Sequence, residues 1–410
     1  MKVLYLGFVT PEDVFQRLLA QDVRLAVQTQ RFGWNFIRAL QSGGAEVDVV
    51  SVAPVSDFPK NRQILFRRSD FLEGGVRGSV AGFVNVLGVK HFTRHRSMAR
   101  EVFRRHRQGG GAVPELVIVH GVNSAVLSLG LKVAEELQVP SVVLLTDPPH
   151  LATGLDFVPK SLPRRIDFRN VTAHLGEYSA SISLTEQLAS TFLPARPTLV
   201  LEGIAESVRG AGPVASRPEA AVDGPDVLYA GQIKAEYGLP QLLSAVRSSS
   251  GSWSLGICGK GSYLTEVLAA AEDEPRICYL GVLGRDELLS AYRGAKILVN
   301  PRPPLDFTKF SFPSKLLEYL SYGSMVGSTE LPGIPGEYWS VIHKLPADPE
   351  GMAAALDELV LDPGRQRESS ERAAELREFL RQKGIKAQGE RIVEFLTGLL
   401  ATSSIARGGA

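Results

Sequence analysis

Cysteine is scarce in this sequence, and charge of one sign is not in excess. The 410 residues include two cysteines, Cys258 and Cys278, and the formal net charge is +1. Both cysteines lie in apolar, strand-like segments, so we expect two reduced core residues rather than a disulfide framework. A chain this close to neutral carries no overall electrostatic attraction for nucleic acid, and we expect no nucleic-acid partner.

Long hydrophobic runs are also lacking. No apolar run approaches the length of a transmembrane helix, and the apolar start of the chain meets Glu12 and Asp13 too early for a signal peptide. These absences predict a cytoplasmic protein. No strand-like segment is followed by G-x-G-x-x-G with an acidic residue about 20 positions further on, which disfavours a nicotinamide dehydrogenase.

Apolar strand-like segments alternate with helical ones through most of the chain, as "KVLYLGF", "AEVDVVSV", "ELVIVHG" and "PSVVLLTDPP" show in the first half. This pattern is typical of parallel sheets covered on both faces, and the length favours two domains. We predict an α/β protein with two Rossmann-like parallel-sheet domains. Because ligands bind at the carboxyl ends of such strands, we expect both sets of strand-end loops to face a cleft.

The domain boundaries follow from changes in composition. A stretch rich in Ala, Gly, Pro and Ser at 206–225 is the predicted linker between domains at 1–205 and 226–385. Residues 386–400 are predicted to form a helix that packs back on the first domain. The small residues of 401–410 are predicted to be disordered.

The segment "FTKFSFPSKLLEYLSYG", residues 307–323, predicts a helix that begins at Pro313. Phe312 before it has no side-chain oxygen to cap the first turn, and Lys315 puts a cation at the positive end of the helix dipole. This arrangement favours an anion, most simply a phosphate, with Glu318 one turn further in as an acceptor for ribose hydroxyls. The alternative is a solvated first turn with a chance lysine.

Glycines and a lysine follow two strands of the second half. Gly231 and Lys234 come after "DVLYA", and Gly259 and Gly261 come after "WSLGIC". Glycine after a strand is typical of a backbone that approaches a ligand, but it is equally typical of an ordinary strand-to-helix turn.

The segments "VLYAGQIKAEYGLPQLLSAV", "GICGKGSY" and "FSFPSKLLEYLSYG" resemble retaining GT-B glycosyltransferases of family 4. The likeness is close over 226–340 and looser in the first half, where "VVLLTDPP", "ISLTEQLASTFL" and "TLVLEGI" resemble a branch of the family that builds bacterial polysaccharides. It implies that Glu318 is the second glutamate of the family's E-x7-E motif, which holds the ribose of a nucleotide diphosphate sugar, and that Gly231 precedes the diphosphate-binding residues. The donor-binding residues predicted from the pattern and the resemblance together are Gly231, Lys234, Gly259, Gly261, Lys309, Ser311, Phe312, Ser314, Lys315 and Glu318.

The sequence departs from the family pattern at three positions. Phe310 stands where the first glutamate of E-x7-E is expected, and Gln232 and Tyr237 stand where the family has an arginine and a lysine. The usual donor-sugar contact and two phosphate-binding cations are therefore missing. Lys234, Lys309 and Lys315 are the available substitutes.

Polar residues at the strand ends of the first half are the candidates for catalysis. His120 follows "ELVIV", and Asp147 and His150 follow "SVVLLT". The resemblance implies that a histidine of this domain contacts the donor sugar, and Gly7 ends the first strand on the expected acceptor side. The plainer alternatives are a loop-capping aspartate and surface histidines.

The segment 90–107 is strongly basic, with seven Lys or Arg and one Glu, a formal charge of +6. One interpretation is a solvated helix face. The other is weak peripheral contact with an anionic membrane at its inner face, or with a pyrophosphate-linked lipid acceptor.

The resemblance implies a retaining transfer of a hexose-type sugar from a nucleotide diphosphate donor to a glycan, glycolipid or other glycoconjugate acceptor. A nucleotide-sugar 2-epimerase of the same fold, or a catalytically silent binding subunit of a glycosyltransferase complex, are the alternatives, and Phe310 favours the silent subunit. The chain contains no Asp-x-Asp, the motif with which metal-dependent glycosyltransferases commonly hold their cation, so we expect no metal and no cofactor.

Overall fold

The structure is a computed structural model that describes residues 1–22, 25, 27–107, 113–149, 162–205, 224–322, 325–361 and 373–408. The chain divides into two compact units. Unit 1 comprises Met1–Ile204 together with Ile385–Ala410, and unit 2 comprises Ala205–Gly384. Most of the predicted linker, residues 206–223, lies outside the described residues.

Unit 1 contains, within the described residues, an eight-stranded sheet in the order β10-β9-β8-β7-β1-β2-β5-β4 and a separate two-stranded ladder of β3 and β6. All neighbours in the large sheet are parallel except β4 and β5. The strands in chain order are β1 (Lys2–Gly7), β2 (Glu46–Ser51), β3 (Leu65–Phe66), β4 (Ser69–Glu73), β5 (Val76–Val80), β6 (Phe83–Val84), β7 (Leu116–His120), β8 (Ser141–Leu145), β9 (Ala180–Ser183) and β10 (Thr198–Val200).

The central strands of this sheet are those that continuous apolar runs predicted. Every residue of β7 and β8 is buried, as expected for parallel strands covered on both faces. The edge strand β4, by contrast, was not predicted. Its sequence SDFLE is largely exposed and has no apolar run, so the sequence carries little signal for it.

The described helices of unit 1 cover its sheet. They are α1 (Glu12–Gln21), α2 (Val27–Ser42), α3 (Val89–Arg107), α4 (Ser124–Leu137), α5 (Leu162–Glu177) and α6 (Glu186–Phe192). No helix in the described part of the chain is both long enough and apolar enough to cross a membrane.

A helix near the C-terminus belongs to this first unit. It spans Ile385–Gly408 and packs along α2. A Cβ added at Gly389 would lie 2.2 Å from the carbonyl oxygen of Ala39, so glycine is needed for the two helices to approach this closely. Ile392 and Leu396 of this helix are fully buried in the core of unit 1.

The end of the chain differs from the prediction. The small residues of 401–410 predict disorder, whereas the C-terminal helix continues to Gly408. The hydroxyl of Thr402 donates to the carbonyl oxygens of Gly398 at 3.2 Å and Leu399 at 2.9 Å. Small residues cost a helix only a few tenths of a kcal/mol each, roughly, so nothing in this segment stops the helix before a glycine is reached.

Unit 2 contains, within its described residues, a six-stranded sheet in the order β13-β12-β11-β14-β15-β16, in which all neighbours are parallel. Its strands are β11 (Val227–Gln232), β12 (Leu255–Lys260), β13 (Ile277–Gly281), β14 (Ile297–Asn300), β15 (Met325–Thr329) and β16 (His343–Leu345). Its described helices are α7 (Leu239–Ser248), α8 (Leu264–Asp273), α9 (Arg285–Gly294), α10 (Lys315–Tyr322), α11 (Pro349–Leu361) and α12 (Ala373–Lys383), and the C-terminal helix is then α13 (Ile385–Gly408).

The prediction of two Rossmann-like parallel-sheet domains is confirmed by these two sheets. One detail of the predicted core of unit 2 is wrong. Both cysteines are free, but Cys258 is buried whereas Cys278 is exposed. Cys278 lies on β13, an edge strand of the sheet, where only Ile277 is fully covered, so its apolar neighbours in sequence do not place it in the core.

Candidate functional site

The candidate site of unit 2 begins at the start of α10. The helix starts at Lys315, two residues later than predicted. The N–H of Leu316 donates to the carbonyl oxygen of Pro313 at 2.8 Å, so Pro313 and Ser314 form a turn that leads into the helix. Ser314, not Phe312, is therefore the residue before the helix, and the prediction of a start without a side-chain oxygen beside it is wrong.

Phe312 is absent from the capping position because its side chain belongs to the core. It is 5% exposed, and its ring lies 5.1 Å from that of Tyr338, centroid to centroid. The ring is held in the interior of unit 2 by this contact. The Phe312 side chain therefore has no free surface to offer a donor, and its predicted role in donor binding is reduced to its backbone.

Lys315 and Glu318 form an ion pair with each other. The Lys315 Nζ lies 2.9 Å from Glu318 Oε2, and it also donates to the hydroxyl of Tyr292 at 3.0 Å. That hydroxyl donates in turn to Glu318 Oε1 at 3.4 Å. The lysine and glutamate side chains keep 26% and 20% of their surface exposed. The arrangement places a cation and a carboxylate side by side with open surface, which suits a ligand that carries both phosphate and hydroxyl groups.

The first turn of α10 is fixed to the sheet by tyrosines. The hydroxyl of Tyr319 donates to the carbonyl oxygen of Ala230 at 2.8 Å and accepts from the Ala230 N–H at 3.1 Å. Tyr319 also makes an edge contact with Tyr292, at 5.4 Å between ring centroids. These contacts hold α10 against the end of β11, next to Gly231.

Cys258 of β12 lies under this site. Burial raises the pKa of its thiol to about 11, and the charge of Lys315 offsets only part of that rise. The thiol therefore stays protonated at neutral pH, and Cys258 contributes packing rather than a nucleophile.

The glycines at the strand ends have a structural reason. Gly259 has φ of 134°, and a Cβ there would lie 1.8 Å from the carbonyl oxygen of Gly231. A Cβ at Gly261 would lie 2.0 Å from the carbonyl oxygen of Ile233. Both glycines are thus required by the adjacent backbone at the end of β11, whatever ligand binds nearby.

A second group of side chains follows β11 and β14. Lys234 pairs with Glu236 at 3.4 Å, and its Nζ lies 5.5 Å from the ring centroid of Tyr237. The guanidinium of Arg302, just after β14, lies 4.1 Å from the same centroid. β11 and β14 are parallel neighbours in the sheet. The two cations that follow them therefore lie at the same end of the sheet, where the strands have their carboxyl ends.

The loop before α10 contains the other predicted donor residues. The Nζ of Lys309 lies 5.2 Å from the ring centroid of Phe310, which is itself 4% exposed and part of the interior. Phe310 therefore cannot replace a glutamate as a ligand for hydroxyl groups. The hydroxyl of Ser311 is buried without a hydrogen-bond partner among the described residues, which costs free energy unless a ligand or a water molecule pairs with it.

In unit 1, His120 ends β7 and is 1% exposed. Its Nδ1 lies 2.5 Å from the hydroxyl of Tyr5, while its Nε2 is buried and has no partner among the described residues. Burial lowers the pKa of His120 to about 4 and raises that of Tyr5 well above its usual value. Both groups are thus neutral at pH 7. When the Tyr5 hydroxyl donates to Nδ1, the histidine proton is on Nε2, which becomes a hydrogen-bond donor without an acceptor.

Glycines make room for this pair. A Cβ at Gly7 would lie 2.9 Å from the Tyr5 ring and 3.2 Å from the Cβ of His120, and one at Gly33 would lie 3.1 Å from the Tyr5 hydroxyl. Gly7, predicted to face the acceptor, therefore also has a packing reason to be glycine.

Asp147 lies two residues beyond the end of β8, in the strand next to β7. Its side chain is exposed and accepts a hydrogen bond from the hydroxyl of Thr146 at 3.0 Å. Gly7, His120 and Asp147 thus lie at the carboxyl ends of three neighbouring strands, β1, β7 and β8. His150 lies outside the described residues.

His120 predicts a pH dependence of stability. Its folded pKa of about 4 is lower than the ordinary value of 6.5. Below about pH 6.5 the unfolded chain therefore binds a proton that the folded chain refuses, so the free energy of unfolding should fall, by up to about 3 kcal/mol at pH 4. Chemical unfolding of wild type and His120→Asn between pH 7.5 and pH 4.5 measures this loss.

The comparison between the two proteins isolates His120, because burial also lowers the pKa values of His91 and His95. The wild type should lose more stability on acidification than the variant does. Equal losses would show that His120 ionises freely in the folded state.

The basic segment 90–107 forms most of α3, and several of its cations are already paired. Arg104 and Arg105 bond to Glu101 at 2.5 and 3.1 Å, as does Arg68 at 2.7 Å. Burial opposes ionisation of Glu101, yet the hydrogen bonds from these three arginines hold its pKa well below its usual range. This part of the helix is built into unit 1.

The cations at the start of α3 also contact other residues of unit 1. Lys90 donates to the Val55 carbonyl at 2.6 Å and to Asp57 at 2.7 Å, and Arg94 is buried with its guanidinium 4.3 Å from the ring centroid of Phe83. The formal charge of +6 therefore overstates what this helix presents to an outside surface.

Three site residues were not found from the sequence: Tyr5, Tyr292 and Arg302. Each contacts a residue that is distant in sequence, and none lies in a recognisable motif. The described residues contain no group of three or more His, Cys, Asp or Glu side chains able to hold a metal ion.

One family model matches a segment of unit 2. Residues 224–362 match the family model described as Glycosyl transferases group 1. No curated protein matches the chain.

Solved structures resemble the whole chain in fold. Sucrose-phosphate synthase from Thermosynechococcus elongatus is 14% identical with a TM-score of 0.66, over 98% of this chain and 100% of that one. The E. coli trehalose-6-phosphate structure bound with UDP-2-fluoro glucose is 12% identical with a TM-score of 0.63, over 98% and 99%. Anabaena HepE in complex with UDP is 12% identical with a TM-score of 0.60, over 97% and 100%. The predicted GT-B fold class is confirmed.

Proposed function

We propose that this chain is a retaining glycosyltransferase that moves a hexose-type sugar from a nucleotide diphosphate donor to a glycan, glycolipid or other glycoconjugate acceptor. The observation that carries the proposal is the pairing of Lys315 with Glu318 at the end of β11, inside the segment that matches Glycosyl transferases group 1. We assign donor binding to unit 2 and the acceptor side to unit 1.

Within the donor site, Lys315 is assigned to the diphosphate and Glu318 to the ribose hydroxyls. A carboxylate accepts hydrogen bonds from two hydroxyls, and an ammonium donates to phosphate oxygens. Their shared partner Tyr292 keeps both side chains in place. Two of the solved structures of similar fold hold UDP or a UDP-sugar, which makes UDP the first nucleotide to test.

The proposed chemistry needs no covalent intermediate. The bond between the sugar C1 and the leaving diphosphate oxygen breaks, and the acceptor hydroxyl oxygen bonds to C1 on the same face. The hydroxyl proton passes to the departing diphosphate, which acts as the base. The growing charge on the diphosphate is stabilised by fixed cations such as Lys315.

The catalytic candidates of unit 1 are His120, Asp147 and His150. His120 is neutral, and its unpartnered Nε2 offers a hydrogen bond to a sugar hydroxyl. Asp147 is exposed and so is available to an acceptor hydroxyl.

The test is a thermal-shift screen of nucleotide sugars, followed by a transfer assay with the donor that binds. Binding at 100 times Kd should stabilise the folded chain by about 2.7 kcal/mol. Release of nucleoside diphosphate together with a glycosylated acceptor supports the proposal. Isomerised nucleotide sugar without transfer would indicate an epimerase instead, and binding without turnover would indicate a silent binding subunit.

We expect transfer to be independent of divalent metals. The sequence has no Asp-x-Asp, and Lys315 with the other cations of unit 2 is assigned the role of stabilising the leaving diphosphate. The rate after exhaustive dialysis against chelator should stay within about twofold of the untreated rate, because fixed cations need no exchangeable ion. Complete loss of turnover that one metal alone restores would contradict this assignment.

We also propose weak peripheral contact of α3 with an anionic membrane. Phe92 and Val89 at the start of the helix are 66% and 44% exposed. Arg96 and Arg100 are exposed cations of the same helix for which the structure shows no ion pair among the described residues. Apolar side chains beside free cations suit an interface of anionic headgroups.

Co-sedimentation with vesicles tests this contact. Wild type should pellet with anionic vesicles at low salt and not with neutral ones, because each cation near the surface contributes about 1 kcal/mol. R96S/R100S should reduce the pelleted fraction. R247S/R293S, which changes two exposed arginines of unit 2, is the matched control and should not. If the two double variants pellet with anionic vesicles to the same extent, α3 does not contact the membrane and its role is structural.

A further inference from the structure

Arg302 occupies an unusual position in unit 2. It lies two residues beyond the end of β14, beside the residues that follow β11. Its guanidinium lies 4.1 Å from the ring centroid of Tyr237. This is a cation–π contact, for which the planar guanidinium is better suited than a lysine.

The backbone fixes this contact. Gly238, next to Tyr237, has φ of 84°, and a Cβ there would lie 1.9 Å from the carbonyl oxygen of Pro301. The hydroxyl of Thr329 donates to the Arg302 carbonyl. The two segments therefore pack backbone against backbone, and this packing positions Arg302 beside the Tyr237 ring.

The charge of Arg302 has no counter-ion within the described structure. Its Nε is buried without a hydrogen-bond partner, and burial lowers the pKa of the guanidinium. Glu236, the carboxylate with an electrostatic effect on it, already pairs with Lys234. Arg302 is half-buried, and a half-buried charge without a partner is costly. The Tyr237 ring offsets only part of that cost.

We propose that Arg302 binds the diphosphate of the donor, with Tyr237 as the platform that orients it. This inference rests on the proposed function and deepens it. Gln232 and Tyr237 stand where the family that this sequence resembles has an arginine and a lysine. In this chain the segment after the neighbouring strand β14 supplies a cation, Arg302, instead. The guanidinium has the donor geometry for two oxygens of one phosphate group.

The experiment is calorimetric titration of the full chain with UDP, inorganic pyrophosphate and uridine. R302Q should weaken UDP and pyrophosphate binding about 10- to 100-fold, the loss expected for a charge-assisted hydrogen bond. R302K should lose less, and uridine binding should not change. Removing a half-buried unpaired charge should leave the Tm of R302Q unchanged or higher.

Two further variants test the platform. Tyr237→Phe keeps the ring and should bind pyrophosphate like wild type, whereas Tyr237→Leu should bind it several-fold more weakly. R247Q, at an exposed arginine of α7, is the control for a general loss of positive charge and should bind both ligands as wild type does.

The outcomes separate this inference from the function on which it rests. If wild type binds UDP and R302Q binds UDP and pyrophosphate equally well, Arg302 is not a ligand for phosphate. If R302Q loses uridine binding in the same proportion and its Tm falls, Arg302 is a structural residue, and the inference is overturned. If R302Q does not fold, the test rests on R302K and Tyr237→Leu. The inference is overturned if both of these variants bind pyrophosphate with wild-type affinity. If wild type binds neither UDP nor pyrophosphate, the inference fails together with the donor site.

Discussion

Replacing Glu318 by Gln should weaken UDP and uridine binding about 10- to 100-fold, because hydrogen bonds to a charged acceptor contribute about 1.5–3 kcal/mol. Inorganic pyrophosphate should bind as tightly as before or more tightly. In the folded chain Glu318 holds Lys315 in an ion pair at 2.9 Å, and the substitution frees that lysine for phosphate. Calorimetric titration with the three ligands measures the pattern.

Lys315→Ala is the matched variant with the opposite pattern. It should weaken the binding of UDP and of pyrophosphate by a similar factor and leave the affinity for uridine unchanged. The ion pair also determines the stability expected of this variant. A lone cation at the positive end of a helix dipole would be relieved by alanine, but Lys315 has Glu318 and Tyr292 as partners, so we expect a small loss, of about 1 kcal/mol or less.

The two assignments are contradicted if both variants affect the three ligands alike. Equal loss of uridine and pyrophosphate binding in each would mean that the substitutions disturb a shared structure rather than two separate contacts. A lowered Tm in both would support that interpretation.

His120→Ala should lower the rate of transfer about 100-fold, a loss typical of removing one preorganised hydrogen-bond donor. The histidine is neutral because burial lowers its pKa to about 4, so its loss removes a hydrogen-bond donor and not a charge. UDP affinity should be unchanged, since the diphosphate is assigned to unit 2.

Two further variants separate the hydrogen bond made by the imidazole ring from the packing of that ring. His120→Asn keeps an N–H donor and should recover part of the rate. Tyr5→Phe leaves Nδ1 without its partner at 2.5 Å, so the proton is no longer held on Nε2, and the rate should fall about two- to tenfold. A normal rate in His120→Ala would remove the histidine from the catalytic candidates, whatever its effect on stability.

The strand-end positions could be predicted from sequence because the apolar runs that precede them are unbroken. "ELVIVHG" predicts a buried strand, and β7 is buried over its whole length, Leu116–His120. The carboxyl end of such a strand then follows from the sequence alone, and with it the position of His120 and of the residues after β11 and β12.

The partners of these residues could not be predicted in the same way. Tyr5 and His120 are 115 positions apart, and Lys315 and Tyr292 are 23 apart. Tyrosine in an apolar strand is typical of ordinary core packing, so nothing in the sequence marks it as a hydrogen-bond partner. Arg302 stands after a strand without any surrounding motif, and only the fold brings it to Tyr237.

The start of α10 shows another limit of prediction from the sequence. Proline at the first helical position is a sound expectation, but it assumes that the helix begins at Pro313. The burial of Phe312 against Tyr338 delays the helix to Lys315. Tertiary packing thus overrides the local pattern at this position.

Hydrogen–deuterium exchange of the full chain with and without UDP tests the central claim, that the strand ends of unit 2 bind the nucleoside diphosphate of the donor. UDP should slow exchange in the segments after β11 and β12, around Arg302 and in the first turn of α10. Glu318→Gln at the same UDP concentration should lose most of that protection. Protection confined to unit 1, or none with UDP, GDP or ADP at millimolar concentration, would contradict the account.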